Sequence, residues 1–277
     1  MADTVFKSAG SVTTIIGAMN QFQAFADLDF VEDLRTTLNT KYNILAERRP
    51  STVPMLRYFG IGVRGYQNTD GNQGALPFSP KATDMDLYTP IPFRCVPATN
   101  DLTQSERQKY RMRVRKTFNG VEYICYYLKT ITWDPSHIEL VQKDTDDVET
   151  PYALDPSNLN PEPPTFETGG SIDTNLNRVI VRATGVCEVT GAEVMEAVNV
   201  MYNANLMYAR ISEFGFYTGC EVGVDADEQP VDGSGINTEA SYVQLCKKRC
   251  TLGTDLSDPG SYMRPYISFE SSCCLEI

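Results

Sequence analysis

The sequence YRMRVRKTF (residues 110–118) is followed by Asn119-Gly120 and then by VEYICYYLKT (residues 121–130), and this stretch decides the fold. Asn-Gly between two strand-like runs is the preferred two-residue turn of a type I′ β-hairpin. A two-residue turn fixes the register of the two strands, so Phe118 should face Val121 and Val114 should face Cys125. The sequence therefore predicts an antiparallel hairpin over 110–130.

The same register places Arg111, Arg113 and Arg115 side by side on one face of the first strand. Three interpretations follow. The arginine stems cover apolar neighbours on a solvated face, or the row docks an acidic strip on a neighbouring subunit, or it faces DNA in a channel. The chain has 24 basic and 36 acidic residues and a net charge of −12. Docking to a like chain is therefore favoured over DNA, because an acidic protein repels phosphate backbones.

Outward from the hairpin, two helices are predicted. Apolar residues recur at three- and four-residue spacing over 28–47, which indicates an amphipathic helix. Thr190 and Glu193 form a capping box for a second helix that runs to about Asn203. The remaining segments alternate strand-like runs with loops. The predicted fold class is β-rich α+β, with antiparallel sheets in a β-sandwich-like core, two main helices and long extended arms.

Composition divides the chain into four parts. Residues 1–26 are small and polar and indicate an N-terminal arm. Residues 27–143 combine the first helix with the antiparallel β domain. Residues 144–175 are rich in proline, aspartate and glycine, which is typical of a linker or long excursion. Residues 176–277 form a second β-rich part with one helix and a cysteine-containing tail.

The sequence contains partial matches to catalytic and cofactor-binding motifs, but the residues around each match lack what the motif requires. Gly60-Ile61-Gly62-Val63-Arg64-Gly65 matches a dinucleotide-binding pattern, but the sequence continues into a loop rather than a helix, so close backbone approach is the better interpretation. Asp225, Asp227 and Glu228 begin like a calcium loop, but Pro230 occupies the glycine position. His137, the sole histidine, lies in a turn-like context. We therefore predict a non-enzymatic protein without cofactor or metal.

The eight cysteines fall into two groups. Cys95, Cys125 and Cys187 lie in apolar strand contexts, which favours buried thiols. For the second group we predict disulfides, within or between subunits, with a thiolate zinc site as the alternative; its members are Cys220, Cys246, Cys250, Cys273 and Cys274. Such a load suits synthesis in a reducing cytoplasm followed by use outside the cell. No signal peptide or membrane span is expected.

Two stretches carry a family resemblance. The first runs from Leu87 to Pro97 and continues through Asp101 into the hairpin, and the second is Ile211-Ser212-Glu213-Phe214-Gly215-Phe216. Together they resemble virion structural proteins of contractile-tailed bacteriophages, especially neck and collar components. The resemblance covers about half of the chain and transfers no functional residues, because such proteins act through surfaces.

The resemblance implies an oligomeric ring at the head–tail junction of a virion. Its partners would be further copies of itself and the neighbouring connector, tail terminator and sheath proteins, with no sequence-specific nucleic acid and no membrane. The alternatives are a baseplate or tail-completion protein of the same virion, or a carbohydrate- or receptor-binding module in which tyrosines and Trp133 stack on sugars. A carboxylate-dependent hydrolase is the remaining class.

Overall fold

The structure, a computed structural model, describes residues 11–13, 38–42, 54–68, 75–143, 146, 148–152, 178–231 and 235–274. The chain divides into two compact units. The first comprises residues 1–131 and 188–263, and the second comprises residues 132–187 and 264–277. This division differs from the predicted linear one, because strands distant in sequence pair within each unit.

The strands are named in chain order. They are β1 (Ser11–Thr13), β2 (Met55–Val63), β3 (Tyr66–Asn68), β4 (Ala75–Pro77), β5 (Pro90–Ile91), β6 (Arg94–Pro97), β7 (Tyr110–Phe118), β8 (Val121–Thr130), β9 (Thr132–Lys143), β10 (Glu149–Pro151), β11 (Arg178–Val186), β12 (Val189–Thr190), β13 (Arg210–Val224), β14 (Asn237–Asp255), β15 (Tyr262–Met263) and β16 (Tyr266–Cys274). The helices are α1 (Leu38–Tyr42), α2 (Gln104–Arg107) and α3 (Gly191–Tyr202), and a 3₁₀ turn spans Leu206–Ala209.

Antiparallel sheets dominate both units. The first unit contains an eight-stranded sheet in the order β1-β14-β13-β2-β8-β6, with β5 paired to β2 and β7 paired to β8. The second unit contains a four-stranded sheet in the order β10-β9-β11-β16. The β-rich α+β fold class with antiparallel sheets is therefore confirmed.

The hairpin forms in the predicted register. β7 and β8 pair Phe118 with Val121, Val114 with Cys125 and Arg111 with Leu128. The ladder is interrupted at Met112, whose φ is +59°. The buried carboxylate of Glu239 accepts a hydrogen bond from the Met112 backbone N–H at 2.6 Å, so a side chain satisfies the donor that the strand leaves unpaired.

Helix α3 confirms the second predicted helix together with its cap. Thr190 is the N-cap and forms a reciprocal capping box with Glu193, and the C-cap Asn203 adopts a left-handed conformation with φ +50°. Of the predicted helix 28–47, residues 38–42 are helical and the other residues lie outside the described part. In the predicted arm 1–26, Ser11–Thr13 pair with β14.

Two sequence expectations change in the second unit. The turn predicted around His137 is wrong, because residues 132–143 form the long strand β9, which pairs with β10 and β11. The predicted excursion 144–175 includes the short strand β10, and residues 153–175 lie outside the described part.

Both faces of β8 are covered. Cys125 and Tyr127 belong to the main apolar core, which also contains Tyr58 and Tyr217. Ile124 and Tyr126 point to the opposite face, where they pack with Leu102. Among the described helices, none is long and apolar enough to cross a bilayer.

Candidate functional site

The arginine row consists of Arg111, Arg113 and Arg115, and the structure turns most of it inward. Arg111 is only 6% exposed. Its guanidinium donates to the backbone carbonyls of Arg107, Gln108 and Tyr110 at 2.9–3.1 Å and forms an ion pair with Glu221 at 3.0 Å. Arg111 therefore ties α2 and the loop after it to the sheet.

Arg113 lies in a second internal ion pair. Its Nη2 is 2.9 Å from Oδ2 of Asp101, and the Tyr126 hydroxyl donates to Oδ1 of the same carboxylate at 2.8 Å. Burial acts to raise the pKa of Asp101, but the hydrogen bonds from Tyr126 and Arg113 hold it below its usual value. Beside this pair, Arg107 binds Glu228 through both terminal nitrogens at 2.6 and 2.9 Å.

Arg115 alone of the row remains at the surface. Its side chain is 57% exposed and pairs with the equally exposed Glu122 at 3.2 Å. The structure thus corrects the interpretation of a three-arginine docking row. Arg111 is buried and the Arg113 side chain is only 12% exposed, because the 98–108 segment and the loop bearing Glu228 cover this part of the hairpin. The docking prediction narrows to Arg115.

A different surface exposes large apolar side chains. We define the aromatic turn as Arg64, Tyr202, Leu206, Met207 and Tyr208. Leu206 and Met207 are 56% and 76% exposed. The rings of Tyr202 and Tyr208 stack with centroids 3.8 Å apart, and Arg64 lies over the Tyr208 ring while its Nη2 donates to the Tyr208 hydroxyl at 2.6 Å.

The backbone of the aromatic turn is held in place by its own polar groups. Asn203 and Ala204 both have left-handed φ values, so the chain reverses sharply after α3. Asn205 then caps the 3₁₀ turn, because its Oδ1 accepts a hydrogen bond from the Met207 N–H at 3.1 Å. Leu206 and Met207 are therefore presented to solvent on a defined scaffold. Tyr, Met and Arg are the side chains enriched at protein interfaces.

A buried polar cluster joins β13, β14 and the loop before β5. Lys248 is 0% exposed, and its Nζ is 3.1 Å from Oδ2 of Asp84 and donates to the Asp86 carbonyl at 3.0 Å. Nearby, the buried carboxylate of Glu213 accepts the backbone N–H groups of Tyr88 and Thr89 at 2.6 and 3.2 Å.

Burial raises the pKa of Glu213 to about 7, while these backbone donors and Lys248 act in the opposite direction. The N–H groups of Tyr88 and Thr89 and the carbonyl of Asp86 thus have buried partners, and the cluster fixes the loop on the sheet. Lys41 forms an additional ion pair with Asp86.

The GxGxxG motif lies beside this cluster and confirms the expectation of close backbone approach. Gly62 lies on β2, where an added Cβ would stand 2.8 Å from the Thr89 carbonyl. At Gly65 it would stand 2.5 Å from the Ser212 carbonyl and 2.7 Å from Cγ of Glu213. The glycines therefore make room for the buried glutamate and the loop it holds.

Helix α3 docks through charged groups as well. Oε1 of Glu193 accepts hydrogen bonds from Lys129 Nζ at 2.7 Å and from the Tyr110 hydroxyl at 2.6 Å. One helical turn later, the Glu196 carboxylate accepts hydrogen bonds from Arg94 Nε at 3.1 Å and from the Cys95 backbone N–H at 2.6 Å. Glu193 thus serves both in the capping box of α3 and as the partner of a buried lysine.

The structure changes the interpretation of the second cysteine group. Cys220, Cys246 and Cys250 are all buried, which argues against disulfides from these three residues to a neighbouring subunit. Cys246 and Cys250 lie within the long strand β14 rather than in a tail. No disulfide joins any two of the six cysteines whose side chains are described. The side chains of Cys273 and Cys274 lie outside that set, so their disulfides stay a prediction.

The acidic loops have structural partners. Asp225 organises its own turn by accepting the N–H groups of Asp227 and Gln229, both at 2.9 Å. Asp84 and Asp86 bind lysines, as described above. Within the described ranges, no group of three or more His, Cys, Asp or Glu side chains is arranged to hold a metal ion.

Sequence reasoning missed Glu213, Lys248 and the aromatic turn. A signal existed for Glu213, because it stands between Ile211 and Phe214 in a largely apolar part of β13. A charged residue in such a run indicates a buried partner. Lys248, in contrast, stands between Lys247 and Arg249 and gave none. The exposure of Leu206 and Met207 had no such signal, since apolar residues after a helix usually pack inward.

Comparison with known proteins identifies the family. A model described as a family of unknown function (DUF7208) matches residues 1–247, and the chain belongs to this family. No curated protein and no solved structure matches the chain. The resemblance to neck and collar proteins therefore stays a prediction that rests on the two stretches quoted above.

Proposed function

We propose that this protein is a non-enzymatic structural subunit of a tailed-phage virion that assembles with further copies of itself into a ring at the neck or collar. The observation that carries the assembly part is the aromatic turn, where Leu206 and Met207 are exposed on a turn fixed by Asn205 and by the Tyr202–Tyr208 stack. The virion location rests on the sequence resemblance alone.

The chemistry of the aromatic turn favours a second copy as its occupant. Apolar side chains gain about 25 cal/mol for each Å² removed from water. Arg64 adds a positive group in a chain of net charge −12, so a surface of the same acidic protein complements it. In contrast, the cations of the arginine row are mostly engaged within the chain. Assembly through the aromatic turn thus explains why large apolar groups remain exposed while charges are buried.

Sedimentation equilibrium of the purified chain tests self-assembly. The key variant is Met207→Glu, and its matched control is Met55→Glu, because Met55 is also an exposed methionine at 59%. Met55 and Val63 are the two ends of β2, and Val63 pairs with Ile211 near the aromatic turn. Met55 is therefore eight strand residues, or roughly 26 Å, from the end of β2 that lies near the aromatic turn.

We expect Met207→Glu to weaken self-association at least about tenfold, since a charge would be buried in the contact, and Met55→Glu to leave it unchanged. Equal effects of the two variants would contradict the assignment of the surface. A wild-type chain that stays monomeric at every concentration tested would contradict self-assembly itself.

The virion location needs a separate test. Antibody labelling of purified phage particles, viewed by electron microscopy, should place the protein at the head–tail junction. Label at the distal end of the tail would favour the baseplate or tail-completion alternative. Absence of the protein from purified particles would contradict the virion assignment altogether.

A further inference from the structure

Cys95 and Cys125 face each other across two neighbouring antiparallel strands. The ladder between β6 and β8 pairs these two residues directly, and their sulfur atoms are 2.9 Å apart. In the other described ladders, Cys220 faces Ser241 and Cys250 faces Glu213. Among the described strand pairs, a cysteine therefore lies opposite a cysteine at this position alone.

The backbone at this pair has the geometry that a disulfide requires. The Cys95 N–H points away from β8, because it donates to Glu196 of α3 at 2.6 Å. Three positions further along in the same register, the Ala98 N–H donates to the Glu122 carbonyl, so residues 98 and 122 form a hydrogen-bonded pair. Hydrogen-bonded and non-hydrogen-bonded pairs alternate along an antiparallel ladder. Cys95 and Cys125 thus form a non-hydrogen-bonded pair, for which the Cα separation is about 4.5 Å and lies within the roughly 4.4–6.8 Å range of disulfides.

We propose that Cys95 and Cys125 are an oxidation site, at which hydrogen peroxide converts the two thiols into a disulfide that ties β6 to β8. The inference does not depend on the proposed function. It differs from the disulfides predicted from the sequence, which involved the other group of cysteines.

The chemistry balances with peroxide as the two-electron oxidant. One thiolate attacks a peroxide oxygen, the O–O bond breaks, and a sulfenic acid and hydroxide form. The second sulfur then attacks the sulfenic sulfur, the S–S bond forms and the S–O bond breaks. The hydroxide leaving groups take up the two thiol protons, so two thiols are oxidised and one peroxide is reduced to two waters.

Burial of Cys95 and Cys125 slows their oxidation, and the contact between their sulfur atoms favours a disulfide as the product. Contact with the Cys125 thiol, and then burial, raise the pKa of the Cys95 thiol, so the reactive thiolate is rare at neutral pH and oxidation should accelerate as the pH rises. Once a sulfenic acid forms at either position, the opposing sulfur is in contact and captures it before a second peroxide arrives. The product is a disulfide rather than a sulfinic acid.

The test is peptide mapping of the folded wild-type chain after peroxide treatment. Remaining thiols are alkylated under denaturing conditions, and the protein is cleaved with trypsin without reduction. Cleavage at Arg94, Arg107, Lys116 and Lys129 places the two cysteines on separate peptides, 95–107 and 117–129. We expect these peptides joined, lighter than their sum by two hydrogens, and released by a reductant.

The disulfide also closes a loop between residues 30 positions apart. Loop closure should raise the melting temperature of the oxidised over the reduced protein by roughly 5–10 °C. The shift should vanish in Cys95→Ala and Cys125→Ala and persist in Cys246→Ala, a matched control at another buried cysteine.

Three results would overturn the proposal, and all are read on the wild-type chain in case a variant fails to fold. The first is full alkylation of both cysteines at a peroxide dose that oxidises methionine in the same sample. The second is sulfinic acid at either position. The third is a link from either cysteine to a different one.

Discussion

The arginine row and the aromatic turn differ in which side chains they expose: two of the three charged side chains of the row are paired inside the chain, whereas the apolar side chains of the turn face solvent. The row carries formal charge, yet Arg111 and Arg113 direct it inward to Glu221 and Asp101. The aromatic turn contains the apolar residues Leu206 and Met207, yet it directs them outward. Charge in a strand therefore does not by itself mark a contact surface in this protein.

The difference has a physical cause. The 98–108 segment and the loop bearing Glu228 cover the β7 side chains of Arg111 and Arg113, and a guanidinium that is taken out of water must find a carboxylate. In the turn at the end of α3, the described residues leave Leu206 and Met207 56% and 76% exposed. Four predictions test whether the charged groups stabilise the fold while the exposed apolar groups do not. They are given from the largest expected effect to the smallest.

Glu193→Ala should destabilise the fold by about 3–5 kcal/mol, because it leaves the Lys129 ammonium buried without its carboxylate and also removes the capping box of α3. The measurement is the free energy of unfolding in urea. The matched control is Glu122→Ala, which removes a carboxylate whose partner Arg115 is exposed and should cost less than about 1 kcal/mol. Similar losses of stability in both variants would contradict the view that the buried Glu193–Lys129 pair stabilises the fold more than the exposed Glu122–Arg115 pair.

Arg111→Ala and Arg115→Ala compare two members of one row. The first should cost about 2–4 kcal/mol, because three backbone carbonyls lose a buried donor and the exposed Glu221 loses one of its two arginine partners. The second should cost less than about 0.5 kcal/mol, since the pair with Glu122 is solvated. Urea unfolding of both variants provides the measurement, and a larger cost at Arg115 would reverse the assignment.

Glu213 should make stability depend on pH near neutrality. Its pKa in the folded protein is about 7, above the ordinary value of 4.5, so the fold favours the protonated carboxyl. The stabilising contribution of that proton is complete below pH 4.5 and is lost as the pH rises to about 7. The other ionisable groups that interact with this carboxyl include Lys248, Asp86, Cys250, Tyr88, Tyr202 and Tyr217.

Across that window wild type should lose roughly 2–3 kcal/mol that Glu213→Gln does not lose. The measurement is the urea midpoint of both proteins at pH 5, 6, 7 and 8 (about one unit apart, to span the shift). Because other groups titrate in both chains, the difference between the two isolates Glu213. Parallel curves would show that the carboxyl does not titrate in this range.

Met207→Glu should change the free energy of unfolding of the monomer by less than about 0.5 kcal/mol, because the side chain is 76% exposed. Its effect should be confined to self-association. Thermal melts at the lowest usable concentration provide the measurement, with Met55→Glu as the reference. A substantial loss of monomer stability would show that Met207 belongs to the core rather than to a contact surface.

Local signals predicted local structure well. Asn119-Gly120 determined the hairpin and its register, and Thr190 with Glu193 determined where α3 begins, because turn and cap chemistry involve residues within four positions of each other. The glycines of residues 60–65 likewise predicted close approach. The sequence could not say what approached them, namely Thr89, Ser212 and Glu213 from distant parts of the chain.

What the sequence by itself determined is thus the β-rich fold class, the hairpin that carries Arg111, Arg113 and Arg115, and the capped helix. The tertiary structure decided which faces are covered: it paired Arg111 and Arg113 with carboxylates inside the chain, brought Cys95 against Cys125, and left Met207 exposed. The reason is that strand pairing and layer packing join residues more than 100 positions apart, as Arg111 and Glu221 show, and no local pattern encodes such a distance.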